Sequence, residues 1–248
     1  MSIHSQHRHR IHRWGPNVVM AHPKLKSLPL GPKWNWRLPY HHAEDENKAR
    51  LLAVFSKWAR DPAANFQLPK TNLLFVQMTE GSSDHAVWGP SRGRRRAAVK
   101  AAKALLASAP PINVTALQPA QRACAGGAEA FKHVWRVEEY LFTMQQYKFV
   151  LSPVGNGVDA HRTWEALLAG SIPVVESSVR DSMYEGLPVL IVKSWSELSL
   201  SLLESAFVNL TAACRRYQWE RLFAPYYLQQ LTADLLQSYM SVPHTALA

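Results

Sequence analysis

Cysteine is nearly absent: Cys124 and Cys214 are the only two in 248 residues. That excludes a disulfide scaffold and a zinc site built on four thiolates. A single bridge remains open, and two free buried thiols are the expectation. Long apolar runs are missing too, and nothing approaches the ~18 uninterrupted residues of a spanning helix. The opening MSIHSQHRHRIHRWGPNVV lacks the apolar core of a signal peptide. Acidic residues are few, 18 against 28 Lys and Arg, for a formal net charge of +10. The imbalance favours an anionic partner without choosing among a nucleotide sugar, an acidic glycan, nucleic acid or an anionic surface. Hydrophobic residues at 47% and charged residues at 19% are an ordinary globular balance, and the length allows one large domain or two small ones.

The most informative stretch is YKFVLSPVGNGVDAHRTWEALLAGSIPVV, residues 147–175. Its first six residues form an unalternated apolar run, which suits a strand covered on both faces. Pro153 stops the strand. Gly155, Asn156 and Gly157 tolerate the positive φ of a tight loop, and Asp159 stands where an N-cap belongs. A helix over 160–169, closed by Gly170, then feeds the strand SIPVV, which a crossover helix makes parallel to the first.

Arg162 and Glu165 lie three apart on that helix and share a face. Arg162 occupies the first turn, where free amides and the helix dipole already favour an anion such as phosphate. Glu165 could accept hydrogen bonds from vicinal sugar hydroxyls. An ordinary ion pair between the two is the plainer alternative, because the loop is neither GxGxxG nor a P-loop. His161 suits phosphate binding or proton transfer at a leaving group, or else a structural bond to a loop carbonyl; the first is preferred.

The rest of the chain supports one α/β unit. Residues 1–22 carry five histidines and read as an irregular leader rather than a metal site, and 22–39 read as a proline-rich linker with one short strand near Leu28. The two together make a leader and linker over 1–42, before a Rossmann-like domain over 43–245. Helices are expected over 43–58, 95–107 and 133–146, and across most of 198–240. Strands are expected in TNLLFVQM (71–78), in 110–115 and in LPVLIV (187–192). The helix over 43–58 is to bury Ala49, Leu52, Ala53, Phe55 and Trp58. Residues 118–131 read as loop, Glu138 and Glu139 as a solvated face, and Ser194 with Glu197 as a capping arrangement. Tyr184 and Glu185 lie where loops could close over a ligand. Arg94, Arg95 and Arg96 begin a helix against its dipole, which makes sense with an anion present. A solvated basic face is the alternative. No aromatic interleaving supports nucleic acid.

FVLSPVGNGVDAHRTWEALLAGSIPVV, followed by MYEGLPVLIVKSWSEL, resembles the C-terminal half of exostosin-like glycosyltransferases, in particular the domain shared with ribitol xylosyltransferases. The similarity is strong over about 135–200. It implies a GT-B fold, with arginine on a donor's diphosphate at Arg162 and glutamate on its ribose at Glu165. Ala160 and Ser171 stand where the family often has cysteine. The implied ligand set is Arg162, Glu165, Gly155, Asn156, Gly157, Asp159, His161, Arg94 and Arg95, with a UDP-sugar as donor, a glycan acceptor and no metal or cofactor. A GT-B enzyme has two Rossmann-like domains, so a separate N-terminal domain or partner chain is expected to supply the acceptor side and the general base. Trp34 and Trp36 would pack against it. The resemblance also implies the Golgi lumen. A catalytically silent nucleotide-sugar-binding domain is the second reading, and a basic nucleic-acid-binding protein the third.

Overall fold

The computed structural model describes residues 13–16, 18, 20, 22, 25–33, 44–76, 93–108, 136–155 and 157–240. Four strands, β3 (Asn72–Phe75), β4 (Tyr147–Leu151), β5 (Ile172–Glu176) and β6 (Leu190–Val192), form one parallel sheet in the order of the chain. Phe149 pairs with Leu74 on one side and Ile172 on the other. Val174 pairs with Leu190. β3, β4 and β5 are short, largely buried runs, as a sheet covered on both faces requires, whereas the edge strand β6, expected over 187–192, spans only 190–192 and leaves Ile191 exposed.

Helices supply both covers. On one face α3 (Arg94–Ser108) and α6 (Leu200–Leu210) bury Val99, Ala102 and Leu203 against Leu74, Phe149 and Val174. On the other, α1 (Glu44–Ala59), α4 (Arg136–Gln145) and α5 (His161–Leu168) bury Phe55, Leu141 and Ala166 against Phe75 and Val150. The stripe Val137, Leu141, Met144 lies inward as its spacing predicts. In α1 the inward stripe is Leu51, Phe55 and Trp58, whereas Leu52 and Ala53 face solvent. The expected stripe was therefore one position out at its start.

Between them, α2 (Pro62–Gln67) begins with Asp61 accepting from the Ala64 amide at 2.8 Å and proline in its first turn. Its Asn65 donates to the carbonyls of Trp58 and Leu168, tying α1 to α5. Gly170 closes α5 with φ of 76°, and a Cβ there would stand 2.2 Å from the Asn65 carbonyl carbon. No side chain fits in that space. Ser171 follows, donating to the Met144 and Tyr147 carbonyls.

The expected C-terminal helix is broken into α6, a 3₁₀ turn at Trp219–Leu222 and α7 (Ala224–Met240). Trp219 packs on Phe66 rather than on a ligand. Ser194 caps a 3₁₀ turn through the Ser196 amide, and Glu197 accepts from Lys193, so the capping arrangement is shifted one residue from a reciprocal box. Glu138 and Glu139 are exposed. Cys214 is free and exposed, not buried as expected, because it follows α6 in an exposed turn. Cys124, Trp34, Trp36, the strand expected over 110–115 and the loop over 118–131 lie outside the described residues.

The N-terminal segment carries a short strand in the leader expected to be irregular and, after it, the strand expected near Leu28. These are β1 (Arg13–Gly15) and β2 (Leu25–Ser27), paired in parallel. They dock on α7: Trp14 Nε1 and Lys26 Nζ both donate to the Asp234 carboxylate. Among the described residues no helix is long and apolar enough to cross a membrane.

Candidate functional site

Parallel strands deliver their carboxyl ends to one edge, where the loops that follow them converge. At this edge the loop after β4, Glu176 at the end of β5 and the start of α3 meet. Arg94 Nη1 lies 3.4 Å from Glu176 Oε2. Arg95 reaches toward the glycine loop, and a Cβ on Gly155 would stand 3.6 Å from its Nη2. Gly155 does not have the positive φ expected of it, and a Cβ there would meet Arg95 at ordinary contact distance. Asn156 is outside the described residues, and Gly157 and Val158 lead on to Asp159. Arg96 is exposed.

Burial, and after it the positive charge of Arg162, hold the Arg95 guanidinium at about 10, below its ordinary value. The charge of Arg162 is thus close enough to act on Arg95. The structure brings Arg94 and Arg95 from one part of the sequence to the stretch that holds Gly155 and Arg162.

Arg162 and Glu165 are joined through a residue that local sequence does not reveal. Arg162 Nε donates to the Tyr140 hydroxyl at 3.3 Å, and that hydroxyl donates to Glu165 Oε2 at 3.4 Å. Tyr140 comes from α4. Burial, as the largest cause, pushes its hydroxyl well above the ordinary value, so it stays protonated as a donor. Arg162 is half-buried, whereas Glu165 is only 3% exposed. The other carboxylate oxygen of Glu165 accepts from the Lys33 amide at 3.1 Å. The simple i,i+3 ion pair is not what the described residues form.

Asp159 departs from its expected role as N-cap. Ala160, in extended conformation, holds that position without a side-chain cap. The Asp159 carboxylate instead turns inward, 2.9 Å from Arg180 Nη2, with both side chains fully buried. It also accepts from Trp164 Nε1 and the Leu30 amide. A desolvated guanidinium and an indole N–H demand an acceptor more strongly than helix amides at the surface do. Nothing near Arg180 in the sequence advertises this. His161 Nδ1 lies 2.7 Å from the Gly31 carbonyl, so that nitrogen donates, which is the structural bond weighed as its alternative.

Residues 30, 31 and 33 therefore form a strap across the start of α5, touching Asp159, His161 and Glu165 in turn. Below the loop, Ser152 and Thr163 hydroxyls meet at 2.8 Å. A cavity of about 10 Å³ beside them, bounded by Glu176 and Tyr184, has room for roughly one water. Tyr184 is buried against Trp164 rather than poised over an opening, and Glu185 is exposed. Among the described residues no group of three or more His, Cys, Asp or Glu is gathered as a metal site would be.

A comparison with curated proteins finds no match. Residues 132–242 match the family model of the RXYLT1 C-terminal domain. The matched residues include Tyr140, Arg162, Glu165 and Arg180, and this part of the chain resembles the C-terminal domains of ribitol xylosyltransferase-type proteins, a glycosyltransferase-like family.

Proposed function

We propose that the chain supplies the donor-binding domain of an exostosin-like, GT-B glycosyltransferase, moving a sugar from a nucleotide sugar to a glycan acceptor. The observation that carries this reading is the meeting of Arg95 with Gly155 and with the charge of Arg162, beside the Arg94–Glu176 pair, at the carboxyl edge of a parallel sheet. A diphosphate placed there relieves the repulsion between Arg95 and Arg162 and meets the free amides that begin α5. As the glycosyl bond breaks, the same cations stabilise the charge building on the departing nucleoside diphosphate, so their contribution grows toward the transition state. They neutralise charge where other transferases use a divalent ion.

Glu165 suits the ribose hydroxyls on this reading, with one condition. Its carboxylate is engaged by the Lys33 amide and Tyr140, so the strap has to release Lys33 when the ribose arrives. Gly157, Asp159 and His161 support the loop and the helix start around the donor. A separate domain or partner chain provides the acceptor site and the general base, and the Golgi lumen is the matching location.

The engagement of Glu165 also favours a second reading, a nucleotide-sugar-binding domain without activity of its own. Calorimetric titration with UDP, CDP, GDP and ADP tests what the two readings share. At least one is expected to bind, with Arg162→Ala weakening it about 10- to 100-fold, the loss of charge-assisted bonds worth roughly 1.5–3 kcal/mol. Binding by none of the four, or no change in Arg162→Ala, overturns both readings. A transfer assay with the matching nucleotide sugar then separates enzyme from silent domain.

A further inference from the structure

Away from the sheet edge, two cavities adjoin between the N-terminal segment and α7, sharing Trp14 and Tyr227 in their walls. The larger, about 540 Å³, is lined by Leu28, Leu30, Phe55, Phe223, Leu228 and Leu231 among others. That volume falls within the roughly 300–1,000 Å³ of small-molecule sites. Its walls are largely apolar, so burial of an apolar group is favoured there. The smaller, about 360 Å³, is lined by His22, Lys26 and Arg221, with Gln230 and Tyr226. No Asp or Glu stands among the described lining residues of either cavity.

The two cations are not equivalent. Lys26 is matched by Asp234 at 2.8 Å. Among the described residues Arg221 bonds only neutral groups: its Nη1 donates to Gln218 Oε1, its Nη2 to the carbonyls of Ser182 and Met183, and its Nε is buried without an acceptor. Its charge is therefore unbalanced beside the apolar cavity.

We infer that the paired cavities form one binding site for a single-chain lipid with an anionic head, the chain in the apolar cavity and the head against Arg221. Charge complementarity selects the head, and the apolar walls select the chain. The site shares no side chain with the Arg95–Arg162 cluster, so it stands whether or not the proposed donor site does.

Palmitate below its micellar concentration, titrated into the full chain in competition with a fluorescent fatty acid, tests this. Hexadecanol and hexadecyltrimethylammonium serve as chain-matched neutral and cationic probes. Palmitate is expected to bind about tenfold more tightly than hexadecanol, since a charge-assisted bond distinguishes them. Arg221→Gln is expected to bring palmitate to the level of hexadecanol. Ala59→Trp, which fills the apolar cavity, is expected to weaken both; if it does not fold by thermal melting, Ala224→Trp at the exposed start of α7 takes its place. Three observations would each overturn the site: no palmitate binding, equal binding of all three probes, or full binding to the filled-cavity variant. Binding to anionic vesicles without uptake of monomeric palmitate would likewise overturn it, in favour of a membrane surface.

Discussion

Two arginine sites lie within one loop of each other at the carboxyl edge of the sheet, and they are built on opposite terms. Arg180 is fully buried and faces a fully buried carboxylate, Asp159. Arg95 and Arg162 are partly buried, the charge of Arg162 lowers Arg95, and Arg162 bonds the neutral hydroxyl of Tyr140. A buried charge with its counter-charge at 2.9 Å holds elements together: this pair links the loop after β5, the start of α5 and the strap at Leu30. On the proposed reading Arg95 and Arg162 instead face a place for an anion. Residue type alone does not distinguish the two sites; depth of burial does.

The contrast can be broken most directly at the buried pair. Asp159→Ala strands the Arg180 guanidinium and is expected to destabilise the fold by about 3–5 kcal/mol in urea denaturation. A loss under ~1 kcal/mol would mean that solvent reaches Arg180 and the distinction fails. The two glycines carry the same contrast at smaller scale. Gly170→Ala forces a Cβ into the Asn65 backbone at positive φ, for an expected loss of about 2 kcal/mol or more. Gly155→Ala meets only ordinary contact distances, so its effect on stability should stay under ~1 kcal/mol in the same denaturation experiment.

Arg162→Ala is expected to leave stability within roughly 0.5 kcal/mol, or to raise it, because it removes a repulsion rather than a pair. A large loss in the same denaturation experiment would move Arg162 into the structural class. The last test concerns Lys70, a cation outside both sites, whose Nζ donates to the Asn65 carbonyl and which burial lowers to about 8. Between that value and the ordinary lysine value of about 10.4 the unfolded chain binds the extra proton, so stability should rise as pH increases across the interval. Urea midpoints at pH 8 and 10 check this, and Lys70→Met should flatten the slope.

Much of the architecture was legible because it depends on short-range pattern. The unalternated run at 147–151, the closure at Gly170 and the parallel return at 172–176 all appear where their residues put them. The alanine-rich helix after three arginines begins at Arg94, one residue from its expected start. In α1 the run Leu51–Leu52–Ala53 offered two competing inward stripes, and packing on Phe75 and Val150 chose between them. The candidate site was legible only in its positions. Arg162, Glu165 and Arg95 were named from spacing, but Tyr140, which joins two of them, sits 22 residues before Arg162 on another helix. Asp159 looked like a cap because its local setting is that of a cap. Its partners Leu30 and Arg180 lie 129 residues before it and in the loop after the next strand.

The sequence by itself determined the order of strands and helices, the parallel sheet and the excess of positive charge, since periodicity, glycine and proline act over a few residues. Tertiary structure alone decided which charges are balanced and which face one another. Desolvation and pairing depend on what the fold brings from distant parts of the chain, and those partners are the strap at 30–33, Tyr140 and Arg180.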